Sequence, residues 1–192
     1  MKLAHAALAA LIAVILAGCF PPSTSHPVGV TAGLKADPAL IGTWKGAGDD
    51  GKAVYAHFLK NDDGSLTVLL AATGDKAEDW NLVTGTTATL GGHHFFNARL
   101  VSSNGKPETG EPAGTMPLLY TIDAKGLTMR LMDEKATKAL IKAGKIKGDP
   151  GQGENGDAMI TADPKSLDAF MQSPAALAAF SSKPLFVLRK AD

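Results

Sequence analysis

Short runs of alternating apolar and polar residues, separated by turn residues, dominate the chain from residue 40 onward. Alternation with a period of two is typical of strands that bury one face. Asp63-Gly64, Gly91-Gly92 and Lys125-Gly126 favour tight hairpins, because glycine accepts the positive φ that such turns require. The pattern predicts an antiparallel meander of seven strands, at 40–47, 53–60, 65–72, 80–90, 93–101, 118–124 and 127–132.

Helical signals appear only near the C-terminus. Asp133 is a candidate N-cap, and Asp163-Pro164 and Ser173-Pro174 each place a capping residue before a proline at the first helical position. Two further runs, 157–162 and 184–190, predict closing strands. A meander of about nine strands leaves edges that need partners, and closure into a barrel is the simplest way to pair them. We therefore expect residues 39–192 to form a mainly β domain, an up-and-down barrel of about 8–9 strands with short helices near the C-terminus.

The apolar positions of the predicted strands define an inward face. If the barrel is hollow, residues on this face form the wall of a site for a small apolar or amphipathic ligand. If it is filled, the same residues pack against one another, and the alternation does not distinguish the two cases. The candidate wall residues are Leu66, Val68, Phe96, Leu118, Tyr120 and Met129.

The N-terminus has a different pattern. Lys2 precedes an apolar run from Leu3 to Leu16, which as a helix would span only about 21 Å, against roughly 30 Å for a bilayer core. The run is typical of a signal peptide rather than a permanent transmembrane helix. Leu16-Ala17-Gly18-Cys19 follows and resembles the lipobox of bacterial lipoproteins at every position.

The lipobox resemblance implies a signal peptide over residues 1–18 and lipidation of Cys19. Because Phe20 rather than aspartate follows the cysteine, it also implies a lipoprotein of the outer membrane facing the periplasm. Cys19 is the single cysteine of the chain, so a lipidated protein has no thiol left for a disulfide. Residues 19–38 are rich in proline, serine, threonine and glycine, which predicts a flexible tether between the lipid and the domain.

Composition and motifs exclude several kinds of chemistry. The chain has 19 basic and 19 acidic residues, so no basic excess favours nucleic acid. His93 and His94 are neighbours whose side chains point to opposite faces of a strand, and two imidazoles without a third ligand give weak support for zinc. No serine lies in a nucleophile-elbow motif, and the sequence identifies no pair of residues for acid–base catalysis. We therefore expect a protein that is not an enzyme, with no metal and no cofactor.

Two positions resemble the lipocalin and wider calycin group. Gly42-Thr43-Trp44, at the start of the first strand, is similar to the Gly-x-Trp signature of that group. Arg189, near the end of the last strand, stands where the group has an arginine or lysine over the tryptophan ring. The resemblance implies a structural clasp between Trp44 and Arg189 that closes one end of a lipocalin-like barrel. The alternative is a core tryptophan of an unrelated β domain.

Together these observations predict a lipid-anchored protein of the cell envelope whose barrel binds a small apolar or amphipathic ligand. The alternative is a structural or interaction lipoprotein with a filled barrel and no ligand. Its contact with the membrane is expected through the N-terminal lipid, and the sequence identifies no protein partner.

Overall fold

The computed structural model of the protein describes residues 21–47, 52–73, 79–108, 114–151 and 157–191. The lipobox and the signal peptide lie outside the described residues. Twelve strands and three helices occur in the described ranges. The strands are β1 Ser23–Thr24, β2 Gly42–Ala47, β3 Ala53–Lys60, β4 Leu66–Ala72, β5 Asp79–Leu90, β6 His93–Ser103, β7 Lys106–Pro107, β8 Met116–Asp123, β9 Gly126–Leu131, β10 Gly148–Asp149, β11 Met159–Ile160 and β12 Phe186–Lys190.

Eight of these strands form a closed antiparallel barrel. Their order around the barrel is β5-β4-β3-β2-β12-β9-β8-β6, and β5 pairs with β6 to complete the circle. β7 is an extra strand that pairs with the end of β6. The barrel and the meander order confirm the predicted fold class. They follow from the hairpin glycines, of which Gly64, Gly91, Gly92 and Gly126 all have positive φ.

One predicted closing strand does not belong to the barrel. Met159–Ile160, within the run at 157–162, instead lies in a separate three-stranded sheet, parallel to β1 and antiparallel to β10. The alternation that predicts a strand does not name its partner. β12 alone closes the barrel at the C-terminus, between β2 and β9.

Two hydrophobic cores lie on the two faces of the barrel wall. The first fills the interior and includes Phe58, Phe96 and Leu118. The second lies outside β6 and β8, because Phe95 and its strand partner Leu119 point away from the barrel interior. Helices α1 (Glu134–Lys142), α2 (Pro164–Met171) and α3 (Pro174–Ala178) pack over this outer face.

The predicted helix starts are confirmed. Asp133 Oδ1 accepts from the Ala136 amide, Asp163 Oδ1 from the Ser166 amide, and Ser173 Oγ from the Ala176 amide. Pro164 and Pro174 occupy the first turns of α2 and α3. These caps supply acceptors for backbone donors that a helix leaves unpaired at its start.

The part of the predicted tether that the structure describes is packed against the barrel. Residues 21–41, which we call the strap, pack across the outside of the barrel and then cover one of its ends. Thr24 and Val28 are fully buried, and Lys35 forms a two-residue bridge with Thr87 of β5. The tether prediction for residues 21–38 is therefore wrong, because buried side chains of the barrel and α2 bind the polar backbone of the strap.

No helix among the residues of these ranges is long and apolar enough to cross a membrane.

Candidate functional site

The structure brings all six predicted wall residues together inside the barrel. Leu66, Val68, Phe96, Leu118, Tyr120 and Met129 belong to one cluster, and none is more than 5% exposed. The rings of Phe58 and Phe96 meet edge to face, with centroids 6.2 Å apart. A side chain that lined a void of water size would retain accessible surface. The interior around these six residues is therefore filled by their own packing, and their role in ligand binding stays a prediction.

The strap closes one end of the barrel, which we call the closed end. Leu40 is fully buried in the interior core, and the Tyr120 hydroxyl donates to Asp37 Oδ2 over 2.6 Å. Burial, together with this bond to a carboxylate, raises the pKa of Tyr120 well above its usual range. The phenol therefore stays protonated, and its hydrogen bond to Asp37 connects the strap to the interior of the barrel.

Trp44 at the closed end lies beside a cation other than the predicted one. Its Nε1–H donates to the Leu40 carbonyl over 2.7 Å, and Lys190 Nζ lies 5.4 Å from the ring centroid. Lys190 is the strand partner of Trp44, whereas Arg189 is the partner of Lys45. Since neighbours on a strand point to opposite faces, the clasp is formed by Lys190 and not by the predicted Arg189.

An open cleft lies beside this clasp. It has a volume of about 370 Å³ and is bounded by Trp44, the β8–β9 hairpin and the end of β12. The side chains around it combine apolar surface with charge: Ile122, Asp123, Lys125, Arg189 and Lys190. The volume lies within the roughly 300–1,000 Å³ that is usual for small-molecule sites.

The glycine at the start of β9 allows the cleft to form. Gly126 has a φ of +124°, and a Cβ there would lie 2.0 Å from the Leu188 carbonyl oxygen. Only glycine permits this approach. It sets the hairpin turn directly against β12, so Lys125 and Arg189 lie on adjacent segments.

The described histidines His57 and His94 each bond a threonine hydroxyl. His57 Nδ1 bonds Thr43 Oγ1 at 2.6 Å, and His94 Nδ1 bonds Thr89 Oγ1 at 3.0 Å. No group of three or more histidine, cysteine, aspartate or glutamate residues that could hold a metal ion occurs among the described residues.

Two buried polar residues that hold the strap were not found from the sequence. Asn97 on β6 accepts from the Val28 amide over 2.7 Å and donates to the Val28 carbonyl over 2.9 Å. Asp168 on α2 accepts from the Gly29 amide over 2.6 Å, and from the amide and hydroxyl of Thr31. A signal for both was present in the sequence, since each is a polar residue within an otherwise apolar run, "FFNA" and "LDAF".

The two sides of the barrel wall differ in what they expose. The helices and the strap cover the outside of β6 and β8. On the outside of β3 and β4, Leu59 and Leu69 remain 50% and 40% exposed. We call this second face the bare wall.

Compared with family models, with curated proteins and with solved structures, the chain has no match. The lipocalin and lipobox resemblances therefore depend on the residues quoted above.

Proposed function

We propose that this chain is a lipid-anchored, non-enzymatic protein of the cell envelope whose filled barrel is a scaffold for its outer surfaces. The packing of the six interior residues, none more than 5% exposed, carries the proposal. Ligand pockets keep concave accessible surface, and these side chains have almost none. The proposal adopts the filled-barrel alternative from the sequence, and it keeps the outer membrane, facing the periplasm, as the location.

The strap supports a close attachment to the membrane. Its first strand, β1, begins at Ser23 and is held by the Ala158 carbonyl and by Thr115. Three residues lie between Cys19 and Ser23, so four Cα–Cα steps join them and span at most about 14 Å. A lipid on Cys19 would thus hold the domain near the bilayer in a restricted set of orientations. A long flexible tether would allow many more.

The bare wall supports a role in contact with other molecules. Leu59 and Leu69 lie on adjacent strands and expose about half of their surfaces. Single exposed leucines are common on soluble proteins. Leu59 and Leu69 support a contact surface because they lie on the face that neither the helices nor the strap covers.

The filled barrel is tested with an environment-sensitive fluorescent fatty acid and a chain that begins at Pro21 and so keeps every described residue. We expect no saturable fluorescence increase. Two single substitutions locate any signal that does appear: Leu69→Asp on the bare wall and Met129→Gln in the interior. A signal abolished by Leu69→Asp alone is adsorption to the outside and agrees with the proposal. A saturable signal that Met129→Gln removes and Leu69→Asp leaves intact would contradict it and restore the apolar-ligand function.

The anchor makes a separate prediction. Cys19→Ser should abolish incorporation of labelled fatty acid, because the thiol is the group that the lipid modifies, and the chain should remain uncleaved. The labelled band and the size of the chain are read on the same gel. Retained labelling of Cys19→Ser would contradict the lipobox interpretation and, with it, the proposed attachment to the membrane.

A further inference from the structure

The cleft at the closed end has an excess of positive charge. Lys125, Arg189 and Lys190 line it together with a single carboxylate, Asp123. Within the described residues, none of the three cations has a carboxylate partner. Asp123 Oδ1 is occupied as an acceptor for the Lys125 amide over 2.7 Å, so it serves the turn of the hairpin.

These cations lie on two adjacent segments, the β8–β9 hairpin and the end of β12. Like charges on neighbouring segments repel one another, and a concave surface with an excess of one sign of charge strengthens the local field. The approach of Gly126 to Leu188 fixes the hairpin against β12, and the stem of Lys190 passes 3.5 Å from the position of a Cβ on Gly42 to reach the Trp44 ring. The backbone therefore fixes the two segments that carry the positive charge. An anion in the cleft would relieve the repulsion.

We propose that this cleft binds a phosphate group. Two lysines and an arginine, offset in part by Asp123, leave the cleft positive and so favour a phosphate, and an arginine can present two donors to its oxygens at once. Ile122, 38% exposed, adds apolar surface at the same cleft. The group can come from a phosphorylated amphiphile, such as a lipid headgroup, or from free phosphate. The site is independent of the barrel interior and goes beyond the proposed scaffold function.

The test uses the full lipidated chain in dodecyl maltoside micelles, whose headgroups contain no phosphate, and titration calorimetry with three probes. Inorganic phosphate represents the free anion, hexyl phosphate adds an apolar tail, and hexanol has the tail without charge. We expect hexyl phosphate to bind with a Kd below about 1 mM and hexanol not to bind. Tighter binding of hexyl phosphate than of inorganic phosphate assigns the site to an amphiphile, and equal affinities assign it to free phosphate. Absence of binding by both phosphates up to about tenfold above that Kd overturns the proposal.

Matched variants separate the cleft from general charge. Lys125→Gln and Arg189→Gln should each weaken phosphate binding about fivefold or more, corresponding to one lost charge-assisted contact. Lys145→Gln and Lys147→Gln remove the same charge from exposed positions outside the cleft and should change the Kd less than twofold. Circular dichroism verifies that all four variants fold. An equal effect of cleft and control substitutions overturns the proposal.

Discussion

Replacement of Trp44 by alanine should lower the free energy of unfolding by about 3–5 kcal/mol, because it removes a large core side chain and leaves a cavity. The indole is 3% exposed and also donates to the Leu40 carbonyl, so the closed end loses packing and a hydrogen bond together. Trp44→Phe keeps a ring and loses the donor, and should cost about 1–2 kcal/mol. Urea unfolding followed by far-ultraviolet circular dichroism measures these values.

The same experiment distinguishes Lys190 from Arg189 as the cation of the clasp. Lys190→Ala should cost about 0.5–1 kcal/mol, the usual range for a cation–π contact at an exposed site. Its effect should largely disappear in the Trp44→Ala background, since residues in contact couple. Arg189→Ala is the matched control and should stay within about 0.5 kcal/mol. Coupling of Arg189, and not of Lys190, to Trp44 would contradict the observed register.

The second large effect is expected at Asp168. Asp168→Ala should cost about 3–5 kcal/mol, because it removes charge-assisted hydrogen bonds and leaves the amides of Gly29 and Thr31 without their acceptor. The carboxylate is 3% exposed, so water does not readily replace it. Hydrogen exchange of residues 24–35 should accelerate well beyond that of the barrel strands, since the strap loses a point of attachment.

Asp163→Ala is the matched control for Asp168→Ala. It removes an aspartate from the start of the same helix, where the side chain caps the amides of Lys165 and Ser166. It should cost about 0.5–2 kcal/mol and leave exchange in the strap unchanged. Unchanged strap exchange in Asp168→Ala, or equal acceleration in both variants, would contradict the role of Asp168 as the residue that fastens the strap.

The barrel was predictable because its signals are local. Alternation in β4 and β9 and the glycines of the hairpin turns are readable within a few residues, and antiparallel neighbours follow from short connections. The same alternation indicates which side chains point into the barrel, and the six predicted wall residues therefore lie together in its interior. Ile122 is an exception, since it has the inward facing of Leu118 and Tyr120 but lies at the rim and stays 38% exposed.

The sequence predictions were wrong where contacts between distant parts of the chain determine the structure. The strap has the composition of a linker, and it is ordered by Asn97 and Asp168, which lie 69 and 137–139 residues away along the chain. The run at 157–162 contains the short strand Met159–Ile160. This strand pairs with β1, which belongs to the strap. The predicted cation of the clasp, Arg189, is one residue away from the observed one, Lys190. The alternation could have identified Lys190, because it points to the same face of β12 as the buried Phe186 and Leu188.

The strap changes how the chain would work at a membrane. A flexible linker of about twenty residues would let the barrel move over several nanometres, since such chains extend about 5–6 Å times the square root of their length on average and further at full extension. The first strand of the strap, β1, instead begins at Ser23, four positions after Cys19. Under the proposed lipidation of Cys19, the cleft of the closed end and the bare wall would stay near the bilayer in a restricted set of orientations.

Methyl NMR under dissolved xenon tests the central claim, a barrel filled by its own side chains, most directly. Xenon enters dry apolar cavities, so it should shift no methyl resonance of Leu66, Val68, Leu118 or Met129 in the natural chain. Phe96→Ala, which removes one ring of the edge-to-face pair with Phe58, should create a cavity and make the same methyl groups respond. Saturable shifts of these methyl groups in the natural chain would contradict the filled barrel.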